Sequence, residues 1–338
     1  MIKSPALVTT LSPAPDPVQR YYHRHALIMA KYEDRYGLHS DTINMPSGSG
    51  KVAMMRRWTH LPPVISPLAE ATPPQGKNPA YTDYSATLYQ WGDFIVTSDV
   101  VSVTDVDDHG RIWADLLGQQ AGYTEDMVNR DAMCAGLQVI RTNGTLISDV
   151  NTIINAGHLD KAILQLQNNG AQTILGGGKG SPNYGSTSTM PCYVAIVMPD
   201  VLNDLQAIPD FFYADKYANA APGEIGRYRQ IAFFLAPDPA SLGAGGKKSP
   251  DAGGLDGDVV KSTTGTNADV YHTIIYGKHF FTRIPLNAMS YRFYRKPLGS
   301  AGALDPIDQI QTMGWKRAGA RLITGATWGV RLESAASV

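Results

Sequence analysis

TDVDDHGRIWADLLGQQAGYTEDMVNRDAMCAG, residues Thr104 to Gly136, is the stretch whose reading decides the fold. Apolar or small side chains recur at Ile112, Leu116, Tyr123, Met127 and Cys134, with Trp113, Leu117, Val128 and Leu137 beside them. Steps of three to four residues predict a helix. Thr104 or Asp105 can cap its start, Asp107 and Asp108 suit the positive end of its dipole, and Gly136 can stop it. Roughly thirty residues at ~1.5 Å rise make a rod of about 45 Å, far longer than most globular helices. Gly118, Gly122 and Gly136 weaken its intrinsic propensity, so packing must hold it. The plain alternative is a core helix of an ordinary globular protein, and the flanking sequence has to separate the two.

Upstream, residues 1–17 are rich in Pro, Ser and Thr and cannot build a core. Asp16-Pro17 then opens a helical pattern, VQRYYHRHALIMAKYEDRYG, ending at Gly37. Its Tyr21, Tyr22, Tyr32 and Tyr36 mix with Arg20, Arg24, Arg35, His23 and His25, which invites a nucleic-acid reading. Glu33 and Asp34 dilute any basic field, so an amphipathic helix laid on another surface is the better reading. His23 and His25 do not share a helical face and make a poor metal pair. Pro46-Ser-Gly-Ser-Gly-Lys51 reads as a flexible joint. Val52 to Leu61 reads as a strand, and Tyr81 to Thr97 alternates, with Tyr81, Asp83, Ser85, Thr87 and Tyr89 on one side and Tyr84, Ala86, Leu88 and Gln90 on the other. Between them Pro62 to Pro79 carries six prolines, which exclude a central strand or a helix interior. The expectation is an extended hairpin with a long tip, poor in apolar groups, that needs another surface to lie on.

Downstream, LQVIRT-NG-TLIS (Leu137 to Ser148) carries a hairpin signal at Asn143-Gly144. GHLDKAILQLQNNG is a helix with Leu159, Ile163 and Leu166 on one face, Tyr193 to Pro199 a short buried strand, and DVLNDLQAI a helical turn or two. Gly223 to Pro237 turns into a strand, residues 238–269 are a Gly/Asp/Lys/Ser-rich excursion, and VYHTIIYGKHFFTRIPL and YRFYRK resume strand character. The closing segment from Gln309 is aromatic and alternates near Trp328 to Leu332.

The 338 residues exceed one typical core, so one large domain or two smaller ones are expected. A net charge of -1 speaks against tight phosphate binding. The 33 glycines and 22 prolines, about one residue in six, predict many loops. Cys134 and Cys192 stand apart, which argues against a disulfide scaffold and for a reducing compartment. No signal-peptide pattern opens the chain and no apolar run reaches ~18 residues, so a soluble cytoplasmic protein is expected, in which the Asn143-Gly-Thr145 sequon carries no sugar.

Chemistry is sparse. Gly50-Lys51, Gly178-Lys179 and Gly246-Lys247 invite a phosphate-loop reading, but Val52, Gly180 and Lys248 stand where a magnesium-binding Ser or Thr is required. No nucleophile elbow, no H-E-x-x-H helix and no paired His/Cys spacing appears. Asp107, Asp108 and His109 could form an acid-base cluster, yet at a helix start capping is the better reading. Asp251, Asp256 and Asp258 resemble a loose calcium loop without its spacing or closing Glu. The residues therefore point to no catalytic residue, no cofactor and no metal.

Taken in order, the segments resemble the major capsid proteins of tailed phages with the Hong Kong 97-type fold, and within it the family typified by coliphage N-four. The phrases carrying the resemblance are LPPVISPLAEATPP (Leu61 to Pro74), YTDYSATLYQWGDFIVTSD (Tyr81 to Asp99), DLLGQQAGYTEDMVNRDAMCAG (Asp115 to Gly136), NGT (Asn143 to Thr145), YVAIVMPDVLNDL (Tyr193 to Leu205), GEIGRYRQIAFF (Gly223 to Phe234) and DPIDQIQTMGWKRAGARLI (Asp305 to Ile323). Each is weak alone, and the ordered set covers most of the chain.

The resemblance implies an α+β fold with residues 1–50 as N-terminal arm, 51–98 as extended loop, 99–149 and 306–338 as a peripheral domain with a spine helix, and 150–305 as an axial domain. It implies self-assembly through hexameric and pentameric capsomers into an icosahedral shell around double-stranded DNA, without sequence-specific contacts or membrane. It also implies assembly in the host bacterial cytoplasm with a separate scaffolding protein, a portal and in some cases a decoration protein. Some relatives crosslink Lys to Asn, but no motif at Lys77 and Asn78 supports carrying that chemistry over. Two rival readings are a nanocompartment shell of the same fold and an enzyme whose site is scattered over distant loops.

Overall fold

The computed structural model describes residues 34–68, 70, 76–104, 109–176, 190–217, 220–236, 246, 260–263, 267–300 and 305–337. The strands are β1 (Asp41–Thr42), β2 (Val52–Trp58), β3 (Tyr81–Thr87), β4 (Tyr89–Ser98), β5 (Gln138–Arg141), β6 (Tyr193–Val197), β7 (Phe211–Tyr213), β8 (Glu224–Tyr228), β9 (Ile231–Leu235), β10 (Tyr271–Tyr276), β11 (Phe281–Pro285), β12 (Arg292–Lys296), β13 (Ile310–Ile323) and β14 (Gly329–Ser334). The helices among the described residues are α1 (Asp99–Thr104), α2 (His109–Cys134), α3 (Ala156–Asn168) and α4 (Pro199–Gln206). This is a mixed α+β chain in which strands dominate. Two compact units divide it, one from Tyr89–Glu125 and Leu286–Gly319, the other from Arg35–Leu88, Asp126–Pro285 and Ala320–Val338. Both α2 and β13 contribute residues to each unit.

The larger unit is built on a seven-stranded sheet in the order β5-β14-β10-β6-β9-β8-β7. β6 and β10 are buried along their whole length, as their continuous apolar runs require. One face packs Ala195, Val197, Ile231, Phe233, Ile275 and Leu332 against Leu159, Ile163 and Leu166 of α3 and Val201 and Leu205 of α4. The opposite face packs Val194, Ile196, Phe234, Ile274 and Tyr276 against Tyr36, Met133, Phe280 and Phe281. The smaller unit has β13 between β4 and β12, both antiparallel to it. Met313, Trp315 and Phe293 on one face of that sheet bury Ala114, Leu117 and Ala121 of α2.

Several expectations are corrected. Within the stretch Thr104 to Gly136, α2 takes up His109–Cys134, and its 26 residues make a rod of about 39 Å. The candidate caps Asp105, Asp107 and Asp108 lie outside the described residues. Of the apolar positions read from the spacing, Leu117 is buried but Ile112, Leu116 and Tyr123 are exposed, while Glu125, Asp126 and Asn129 are buried with Ala114, Ala121 and Met133. Polar groups are tolerated there because they are paired. Glu125 meets Arg317 at 2.5 Å, Asp126 accepts two backbone N–H groups and Asn129 accepts from Arg321. Gly136 follows the helix for a packing reason, since a Cβ there would stand 2.7 Å from the Ile323 side chain.

Asn143-Gly144 makes a turn, with Gly144 at φ 64, but no hairpin. β5 pairs in parallel with β14, and the chain after the turn enters a single 3-10 turn at Ile147–Asp149, where Asp149 accepts the N–H groups of Thr145 and Leu146. In the stretch read as one strand, Glu224–Tyr228 and Ile231–Leu235 form a two-stranded hairpin turning at Arg229 with φ 46. The helix read before Gly37 and the acidic loop Asp251, Asp256 and Asp258 lie outside the described residues.

Candidate functional site

The feature that stands out from the two cores is the hairpin of β2 and β3. It is antiparallel in register from Val52↔Thr87 to Trp58↔Tyr81, closed at its base by Leu88 N–H donating to the Lys51 carbonyl and at its far end by Thr59 N–H donating to the Ala80 carbonyl. The period-two pattern read from the sequence holds as far as Leu88. There the chain leaves the hairpin, and β4 pairs with β13 instead. Gly48 and Gly50, with φ 87 and 92, form the joint before it.

The two faces of the hairpin differ. Ala53, Met55, Arg57, Tyr84 and Ala86 face inward. The Arg57 guanidinium lies 3.8 Å over the Trp328 ring and donates to the Thr324 carbonyl at 3.2 Å. Met55, Arg57 and Tyr84 also line a cavity of about 520 Å³ with Asp41, Thr42, His279 and Thr282. The outward face carries Val52, Met54, Arg56 and Trp58 opposite Thr87, Ser85, Asp83 and Tyr81. Arg56 and Asp83 form a two-point ion pair at 2.7 and 3.0 Å, which holds the Asp83 carboxyl below the usual range. Trp58 and Tyr81 meet edge to face at 5.1 Å.

Beyond the last pair, Leu61, Val64, Ile65 and Leu68 are all exposed, Ile65 to 88%. The tip thus carries more apolar surface than its proline content suggested. An isolated two-stranded hairpin is marginal in water, and a row of exposed large apolar groups marks an interaction surface.

In the smaller unit, β4, β13 and β12 of a five-stranded sheet offer a second open face. Phe94, Tyr294 and Ile310 line a trough of about 740 Å³ floored by Gly92 and Gly314. On the closed face Gln120 ties the helix to the sheet. It accepts from the Trp315 indole N–H at 3.1 Å and donates to Asp93 at 2.6 Å.

The sequence-derived chemical candidates do not converge. His109 is half-buried and stacked on Trp113 at 5.0 Å. Lys77 donates to the Pro62 carbonyl at 3.3 Å, and Asn78 is exposed. Cys134 and Cys192 are free thiols whose pKa values burial pushes up. Among the described residues no three His, Cys, Asp or Glu side chains are grouped to hold a metal, and no helix is long and apolar enough to cross a membrane. Sequence reading missed the cluster around Glu224, which accepts from Arg227 at 2.5 Å, Tyr217 at 2.8 Å and the Ala221 N–H at 2.6 Å. Burial pushes the Glu224 carboxyl up, but these donors together outweigh it and hold it below its ordinary value. A register shift between Glu224 and Gly226 creates this cluster, and no local motif announces such a bulge.

No family model matches the sequence, and no curated protein matches it. Solved structures do. The capsid of Ralstonia phage GP4 aligns over 90% of this chain and 92% of its own, with TM-score 0.61 and 10% identity. The acidic stable capsid structure of Helicobacter pylori bacteriophage KHP30 aligns over 99% of this chain and 95% of its own, with TM-score 0.58 and 12% identity. The fold is that of phage capsid proteins. The capsid asymmetric unit of cyanophage Pam1 agrees, covering 99% of this chain and 97% of its own at TM-score 0.57 and 9% identity. The match runs over nearly the whole length of each partner, so it includes the hairpin and both units.

Proposed function

We propose that this chain is the major capsid protein of a tailed bacteriophage, which self-assembles into an icosahedral shell around double-stranded DNA. The observation that carries the reading is the end-to-end structural likeness to phage capsid chains at TM-scores up to 0.61. The exposed apolar hairpin supports it, because copies repeated about rotation axes supply the surface that a lone subunit lacks. A net charge of -1 suits a wall around DNA better than a reader of its sequence.

In this reading the fold is of the Hong Kong 97 type and the family that of coliphage N-four. Residues 1–50 are the arm, 51–98 the extended loop lying across a neighbour, 99–149 and 306–338 the peripheral domain, and 150–305 the axial domain. Hexamers and pentamers form in the host cytoplasm on a separate scaffolding protein, with a portal at one vertex and a decoration protein where one exists. No residue is catalytic.

The test is size-exclusion chromatography and negative-stain microscopy of the expressed chain, with scaffolding protein where needed. Closed shells or capsomers are expected. A stable monomer under all conditions, with an enzymatic turnover that a point substitution removes, would overturn the reading. Nuclease-protected DNA in native particles separates a virus from a nanocompartment.

A further inference from the structure

The open face of β4, β13 and β12 combines aromatic rings with positive charge. Phe94 and Tyr294 are both direct cross-strand partners of Gly314, so two rings flank a position without a side chain. Phe94 is 64% and Tyr294 41% exposed. Their backbones stand two strand spacings apart, about 10 Å. In the next row on one side Lys296 lies opposite Thr312, and in the next row on the other Arg292 lies opposite Lys316. Among the described residues none of these three cations has an ion-pair partner. No strand position on this face carries Asp or Glu. Asp93 borders the trough but belongs to the opposite face, where it accepts from Gln120 at 2.6 Å, and from the Phe94 N–H at 2.9 Å. Asp308 lies outside the three strands, beside Gly299.

The chain's net charge of -1 gives no strong global field, so the attraction of this patch is local. Three cations without a carboxylate among them select an anion. Two exposed rings select a ligand with flat apolar faces, and the glycine between them lets such a group lie close to the sheet. Rings on an antiparallel sheet with cations around them are the means by which single strands are held: bases stack on the rings and phosphates meet the cations. A duplex offers its phosphates but keeps its base faces inside the stack. An acidic peptide would satisfy the cations and leave both rings without a flat partner.

We infer that this face binds single-stranded nucleic acid without sequence preference. Bases stack on Phe94 and Tyr294, and Arg292, Lys296 and Lys316 meet the phosphates. The inference concerns the unassembled chain and goes beyond the shell reading, which asks only for a wall around duplex DNA.

Fluorescence anisotropy of a labelled oligodeoxynucleotide of about twelve nucleotides, titrated with unassembled full chain, tests it. The logarithm of the binding constant should fall against the logarithm of salt with a slope of ~-2, the value for three phosphates at about -0.7 each. Phe94→Ala and Tyr294→Ala should each weaken binding at least about fivefold. The double variant Lys296→Gln, Lys316→Gln should bring the slope to ~-0.7. Unchanged melting temperatures report an intact sheet, and the lysine pair keeps the test alive if a ring substitution loosens it. No binding at about 100 µM chain in low salt, the weak end of non-specific affinity, overturns the inference. So does equal binding of a duplex of the same sequence, or full affinity in both ring variants. Polyglutamate that displaces the oligonucleotide at equal charge concentration assigns the face to an acidic peptide and overturns it equally.

Discussion

Asn155 and His158 close the first turn of α3 by exchanging two hydrogen bonds. The Asn155 side chain accepts from the His158 N–H at 3.1 Å, and Nδ1 of His158 accepts from the Asn155 N–H at 3.3 Å. His158 thus fills the place of the Glu or Gln in a capping box. That role requires a neutral ring with Nδ1 unprotonated. Burial, then the Lys161 charge, lower the His158 pKa from its ordinary value of 6.5. His39, edge to face with Phe234 at 4.8 Å, is lowered by burial too, against a raising contribution from Glu224. A histidine with a depressed folded pKa contributes stability that is fully present above about pH 6.5 and is lost as pH falls through the folded value. The melting temperature should therefore drop between pH 7 and pH 5. His158→Gln keeps an acceptor at that position and removes the titration, so its melting temperature should vary less over the same window. A slope equal to the unaltered chain's would show that the cap does not sense pH.

At the scale of elements, β4 and β13 approach closely enough that two positions admit only glycine. A Cβ on Gly314 would stand 2.7 Å from the Phe94 Cβ and 2.8 Å from the Asp93 carbonyl oxygen, and one on Gly92 would stand 2.6 Å from the Trp315 carbonyl oxygen. Gly314→Val must spread the strands and should cost about 1–3 kcal/mol. Thr312→Val, on the same face where the open trough leaves room, should change stability by less than about 0.5 kcal/mol. Denaturant titration followed by tryptophan fluorescence checks both, since Trp91 and Trp315 belong to this core. Elements whose signal is local were legible in the sequence. The face Leu159, Ile163, Leu166 and the apolar run of β6 declare their burial by periodicity or continuity. The face of α2 was not legible, because Glu125 and Asn129 are buried only by virtue of Arg317 and Arg321, nearly two hundred residues away. At Asn143-Gly144 only Gly144 takes a positive φ, and the hairpin read there is absent, since β5 finds β14 in parallel from the far end of the chain. The hairpin was legible from its alternation and prolines, but the exposure of Val64, Ile65 and Leu68 needed the structure.

For the whole molecule, the two cores do not include the hairpin tip, and this separates folding from assembly. Leu61, Val64, Ile65 and Leu68 are exposed in the single chain, so they add little to its stability. Buried in every repeat of a shell, the same groups would contribute about 1.5–3 kcal/mol each when fully covered. The register of the hairpin makes a clean excision available. Deleting Pro62 to Pro79 leaves His60 and Leu61 between Thr59 and Ala80, which are already joined by a 2.8 Å hydrogen bond. Written as Asn-Gly, those two residues supply the positive φ angles of a two-residue hairpin turn. The shortened subunit should melt within a few degrees of the full chain, because a ΔΔG under about 1 kcal/mol moves a chain of this size by only ~2–4 °C. Shell yield and the heat resistance of any particles should fall sharply. The double substitution Ile65→Asp, Leu68→Asp should reproduce the assembly defect with the loop at full length, excluding a simple effect of chain shortening. Calorimetry of subunits alongside microscopy of assembly reactions reads both quantities. Particles from the deletion at normal yield and normal heat resistance would show that the tip is not the surface through which copies of this chain hold one another.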